Sequence, residues 1–142
     1  MKPGLNRLLV AGGAAYLFFW ALVSFYPSPV DSVGFIPNLM ANILNFTGHL
    51  GLSRVIDYSF LEAFANVLFY LPLGLLLGLS LYRLPYWLLL YFAFAISLGA
   101  ETMQGIFISR RVSSWLDVWH NLIGATLGLL LVHLTAFDRQ RD

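Results

Sequence analysis

The sequence predicts an all-α integral membrane protein, a bundle of four transmembrane helices with an amphipathic interfacial helix between the first and second. Three observations carry this reading. Of the 142 residues, 59% are hydrophobic and 11% charged, whereas a soluble domain carries about 25% charged residues; the mean hydropathy is +0.77. Four segments stay apolar for the roughly 20 residues that a membrane-crossing helix needs. The polar residues inside the last three of these segments gather near the same membrane face.

The first span is expected at about residues 8–26, with no charge from Leu8 through Pro29. Lys2 and Arg7 precede it as the basic region of a signal peptide would. Its apolar run exceeds the roughly 7–15 residues of such a peptide, and no small-residue cleavage site follows, so a retained helix is expected. The second span covers about residues 60–82 and carries Glu62 and Asn66 near its start. Pro72 within it withholds an amide from the Leu68 carbonyl and disposes the helix to kink. The third span, about 86–108, holds Glu101 and Gln104 in its last third, and the fourth, about 115–134, holds Asp117, His120 and Asn121 in its first two turns. Gly74 with Gly78, and Gly124 with Gly128, make two small-xxx-small pairs that let helix backbones approach closely.

Between the first two spans, residues 35–50 have a helical period. Asn38, Asn42, Asn45 and His49 occupy one face; Phe35, Leu39, Met40, Ile43, Leu44 and Phe46 occupy the other. Too polar to cross, this segment is expected to lie in the outer interface. With the N-terminus inside, Lys2, Arg7, Arg83, Arg139 and Arg141 face the cytoplasm, and Arg54, Arg110 and Arg111 face outward. That bias favours cytoplasmic placement of both termini. One domain over residues 1–142 is expected. A net charge of +1 without a dense basic run gives no sign of a nucleic-acid partner. The absence of cysteine excludes disulfides and thiolate metal sites and leaves the redox compartment open.

At about 1.5 Å per helical residue, Asn66, Glu101, Gln104, Asp117 and Asn121 fall at similar depth in the outer leaflet. Ionisable groups inside a span cost free energy and face the bundle interior, where they find partners. Glu101 and Gln104 share one helix face; Asp117, Asn121 and Gly124 share another. If these faces meet, carboxylates, amides and Arg110 or Arg111 form one cluster. Simpler readings compete for several members. Ser114 and Asp117 fit a capping box that closes the start of the fourth span. Arg110 and Arg111 fit headgroup anchors or partners of a lipid phosphate. His120 fits a structural interfacial histidine, because the sequence supplies too few ligands for a metal site. Glu101 has no capping role to explain it, and a carboxylate one to two turns inside the span needs a partner or a raised pKa.

These residues resemble those of the VanZ-like family of small bacterial membrane proteins, named after a teicoplanin-resistance protein. Asn66-Val-Leu-Phe69-Tyr-Leu-Pro72-Leu-Gly74 looks like one family block, with Phe69 or Tyr70 as its aromatic residue. Glu101-x-x-Gln104, then Arg110 or Arg111, Ser113 or Ser114, Asp117, Asn121 and Gly124, looks like the other. Together the blocks cover residues 62–130. The resemblance implies a multi-pass protein of the bacterial cytoplasmic membrane, associated with tolerance of glycopeptide antibiotics that carry a lipid tail. It brings no established reaction.

Three functions follow as expectations. In the first, the layer binds a lipid headgroup, an amphiphile such as a lipid-linked envelope precursor or lipoglycopeptide, or part of a membrane protein partner. Arg110 or Arg111 would meet the anion, with Asn66, Gln104, Ser114, His120 and Asn121 around it and Glu101 orienting them. In the second, an enzyme acts on a lipid or polyisoprenyl substrate, with Glu101 as general acid or base and Asp117 as its partner. Ser109, Ser113 and Ser114 lack the G-x-S-x-G setting of a nucleophile. In the third, the cluster only fixes helix register. No cofactor and no metal is expected.

Overall fold

Five helices form where the apolar runs and their polar punctuation place them: α1 (Pro3–Ser24), α2 (Ile36–His49), α3 (Tyr58–Ser80), α4 (Tyr86–Phe107) and α5 (Trp115–Asp138). The structure is a computed structural model that describes residues 3–25, 34–107 and 114–138, with no strand among them. Local chemistry explains most of the ends. Asp57 caps α3, its Oδ1 accepting the Phe60 amide at 2.8 Å, which starts the helix two residues before the expected boundary. Helix α2 stops at a left-handed glycine, Gly51, at φ 72°. The Leu52 amide then reaches back to the Thr47 carbonyl and the Gly51 amide to that of Gly48, the pair of bonds that closes a Schellman turn. Ser114 opens α5, its Oγ accepting the Leu116 amide at 3.2 Å.

Helices α3 and α4, together with residues Trp115–Thr135 of α5, are long and apolar enough to cross a membrane. The sequence predicts four such spans. Among the described residues the apolar stretch of α1, Val10–Ser24, is shorter than the other three, although the helix itself has 22 residues. The chain is therefore a membrane protein on the strength of three helices.

The centre of the bundle is the contact between α3 and α5, which run parallel. A Cβ at Gly74 would collide with the Ala125 carbonyl, one at Gly124 with the Val67 carbonyl, and one at Gly128 with the Leu71 carbonyl. Both glycine pairs thus sit where the two backbones touch, and Gly78 faces the Val132 side chain at 3.1 Å. In a lipid solvent such close packing replaces the hydrophobic effect as the source of helix association. Helix α4 lies antiparallel to this pair. Its buried stripe is Leu89, Ala93, Ser97, Ala100, Glu101 and Gln104.

Helix α1 runs antiparallel along α3 and is fastened by aromatic side chains. The Tyr16 hydroxyl donates to the Phe69 carbonyl at 2.8 Å, one residue past the carbonyl that Pro72 deprives of its amide. Phe19 meets Phe69, and Trp20 meets Tyr70, both edge to face. Pro72 therefore lies within a turn of the point where α1 hydrogen-bonds the α3 backbone.

Aromatic residues mark both ends of the bundle. Tyr58, Phe60, Phe64, Trp115 and Trp119 are exposed at one end, and Tyr82 and Trp87 at the other. The 23 residues of α3 span about 35 Å at 1.5 Å per residue, enough for a hydrocarbon core of about 30 Å. Tyr and Trp at these levels match interfacial belts.

Candidate functional site

The C-terminal ends of α1 and α4 and the N-terminal ends of α3 and α5 meet on one side of the bundle. Their polar side chains form a layer there. Helix α4 contributes Ser97, Glu101 and Gln104, at i, i+4 and i+7 and all buried. Helix α5 contributes Asp117, His120 and Asn121, helix α3 Asn66 and Tyr70, and helix α1 Trp20 and Ser24.

Four hydrogen bonds in this layer tie one helix to another. Asn66 Nδ2 donates to Asp117 Oδ1 at 3.0 Å, joining α3 to α5. The Ser114 amide donates to Glu101 Oε2 at 3.4 Å, joining α5 to α4. Ser97 Oγ donates to the Val118 carbonyl, also at 3.4 Å. Gln104 Nε2 donates to the Ser24 carbonyl at 3.0 Å, joining α4 to the last turn of α1. That carbonyl is one of the helix-end acceptors that lack an intrahelical donor, so Gln104 acts as a C-terminal cap supplied by another helix. The Tyr70 hydroxyl faces Trp20 and Ser97, and Glu101 is near enough to act on it electrostatically.

These contacts revise the capping-box reading of Asp117. In such a box the acidic residue at the third helical position takes the amide of the capping residue. Here Ser114 caps with its own hydroxyl, and its amide goes to Glu101, a carboxylate from a different helix. Asp117 is drawn to Asn66 instead. One carboxylate has taken the local task of another, and the displaced one reaches across to α3.

Glu101 is thus bonded to Ser114 and Asp117 to Asn66, while Gln104 points to α1. His120 Nδ1 lies 4.0 Å from Asp117 Oδ1, beyond hydrogen-bond range. Asn121 is 2% exposed. Arg110, Arg111, Ser109 and Ser113 lie outside the described residues. Among the described residues, His, Asp and Glu do not gather in threes around a point where a metal would sit.

Four members of the layer escaped the sequence reading. Ser97 stands four residues before Glu101 and Tyr70 four after Asn66, so the helical repeat pointed to both. Serine and tyrosine are ordinary in apolar helices, and neither breaks the pattern. Trp20 and Ser24 end a span that shows no ionisable residue, and Ser24 takes part through its backbone carbonyl, which has no signature in the sequence.

A set of apolar helices closing around a buried, cross-linked polar layer near one end of the bundle defines an integral membrane protein with a buried polar site. Residues 14–136 match the family model described as VanZ/LLP1, and the chain belongs to that family. No curated protein and no solved structure matches it.

Proposed function

We propose that this chain is a four-span protein of the bacterial cytoplasmic membrane whose polar layer binds the headgroup of a lipid or another amphiphile from the outer leaflet. One observation carries the reading. His120 Nδ1 and Asn121 Oδ1 are buried and have no hydrogen-bond partner among the described residues, and both belong to this layer. A buried polar atom left unsatisfied costs about 1–3 kcal/mol, and such atoms call for a ligand, water or ion to explain them. Two on adjacent residues suit a site that an external polar group completes. Arg110 and Arg111, in the segment joining α4 to α5, are the cations that would meet a phosphate or carboxylate there. Family membership supports a role at the cell envelope, with a lipid-linked precursor or a lipid-tailed glycopeptide such as teicoplanin among the candidate ligands.

The topology is part of the proposal. Helix α1 would cross as the first span and α2 would lie in the outer interface with Phe35, Leu39 and Phe46 toward lipid, all three exposed. Both termini would be cytoplasmic, as the lysine and arginine bias favours. Because the chain has no cysteine, single introduced thiols report topology cleanly. Ser53→Cys, between α2 and α3, is expected to react with a membrane-impermeant maleimide added outside intact cells. Ser80→Cys, at the far end of α3, is expected to react only after lysis. The reverse pattern would invert the topology and move the layer to the inner leaflet.

The binding reading is tested by mass spectrometry of lipids that co-purify with the wild type and with Asn121→Leu at equal expression. The expected result is a lipid species retained by the wild type and lost from the variant. Because Leu has nearly the shape of Asn without its unpaired oxygen, the variant is expected to melt no lower than the wild type. A lipid whose mass changes only in cells making the intact protein would replace this reading with catalysis by Glu101. If no lipid differs in amount or mass, the layer serves helix register alone.

A further inference from the structure

Asp117, His120 and Asn121 stand at i, i+3 and i+4 of α5, so that Asp117 neighbours each of the other two on the helix surface. Asp117 Oδ1 accepts the Asn66 amide, and an ionised carboxylate offers about four lone-pair sites in all. His120 Nδ1 is an acceptor whenever the ring proton is on Nε2. It is buried with no partner, as is Asn121 Oδ1, and Asn121 as a whole is 98% covered, being 2% exposed. The group is thus three acceptors on one turn, one of them anionic, with two of the three lacking any donor.

We infer that this turn is a subsite for a primary ammonium group. The inference rests on the headgroup reading above and names the chemistry of one end of the ligand. Two arguments choose ammonium over a metal ion. A tetrahedral metal with bonds of about 2.0–2.1 Å holds its donors about 3.4 Å apart, and the Nδ1 to Oδ1 separation is wider, at 4.0 Å. A nitrogen hydrogen-bonded at about 2.8 Å to both atoms spans that gap at an angle of roughly 90°. The second argument is stoichiometric: a primary ammonium has three N–H donors and no acceptor, the complement of three acceptors beside a negative charge. A quaternary ammonium of the same charge has no N–H to give. Two sources supply the group: the ethanolamine headgroup of a phospholipid, and a soluble amine.

The test places the full chain in nanodiscs containing equal parts of phosphatidylethanolamine, phosphatidylcholine and phosphatidylglycerol, and reads the retained lipid by native mass spectrometry. Wild type is expected to keep phosphatidylethanolamine over phosphatidylcholine by about tenfold or more, the factor that one charge-assisted hydrogen bond corresponds to. Asp117→Asn keeps an oxygen for the Asn66 amide, so the α3–α5 link survives while the charge goes. It is expected to elute as the wild type does and to lose most of the preference, as is Asn121→Leu. Equal retention of the choline and ethanolamine lipids would overturn the ammonium subsite and leave the headgroup reading standing. If no lipid is retained, the headgroup reading fails. The subsite then survives only if ethanolamine raises the unfolding temperature of the wild type and not of Asp117→Asn, and a null result there overturns it.

Discussion

Gly124→Val is expected to dismantle the bundle. A Cβ at this position meets the Val67 carbonyl, carbon and Cα, all backbone atoms that cannot turn aside as a side chain can. The branched side chain adds two more carbons at the same point, so α3 and α5 must separate along the contact that organises the rest. Overpacking of a rigid core costs about 1–3 kcal/mol and more where the backbone has to shift, and this site belongs at the upper end or beyond. Moving α5 also pulls Asp117 from Asn66 and Ser114 from Glu101, because those bonds lie about two to three turns from the glycine along the same helix. The measurement is fluorescence-detected size-exclusion with a thermal ramp in mild detergent, where the variant is expected to be aggregated or absent. Gly99→Ala is the control: a Cβ there meets nothing within 4 Å, and alanine improves helix propensity by up to about 1 kcal/mol. A wild-type melting profile for Gly124→Val would refute the close approach of α3 and α5.

How far the sequence disclosed all this differs from one kind of feature to another. Helix placement was legible because the solvent enforces it: a span must run about 20 residues and satisfy its backbone internally, so the apolar runs mark their own limits. The ends are less legible: α1 begins at Pro3 and α5 runs to Asp138, beyond the expected limits, and α3 begins early because Asp57, three positions before Phe60, caps it. The existence of a polar layer was legible for a related reason, since Glu101, Gln104, Asp117 and Asn121 are costly in an apolar helix and stand out. Their partners were not. Asp117 had a plausible local role as half of a capping box, and only the arrangement of α4 beside α5 shows that Glu101 occupies it. Gln104 bonds a carbonyl of α1 eighty residues away, and every residue type offers that same carbonyl. Periodicity tells which side chains share a face. It does not tell which faces meet.

Glu101→Ala and Glu101→Gln are expected to separate what the carboxylate holds from what its charge does. Glu101 is 7% exposed, and its Oε2 receives the amide that opens α5. Alanine leaves that part-buried amide without its acceptor, and loss of a hydrogen bond to a charged group costs about 1.5–3 kcal/mol. The start of α5 is expected to loosen, releasing Asp117 from Asn66, so melting temperature and lipid retention should fall together. Glutamine keeps a carbonyl oxygen at nearly the same position and can still accept from Ser114. It is expected to hold the fold within about 1 kcal/mol of the wild type, the range of a single neutral hydrogen bond. Lipid retention should drop without disappearing, because in the binding reading Glu101 orients the layer while the unpaired atoms of His120 and Asn121 meet the ligand. A general acid or base tolerates no such substitution, since an amide cannot exchange the proton. The sharp outcome is therefore Glu101→Gln with intact folding. Partial lipid retention supports a binding site that Glu101 positions, and full loss of a lipid conversion that the wild type performs would make the same carboxylate catalytic. A Glu101→Ala variant that melts and retains lipid as the wild type does would remove both roles, leaving the bond to Ser114 without energetic consequence.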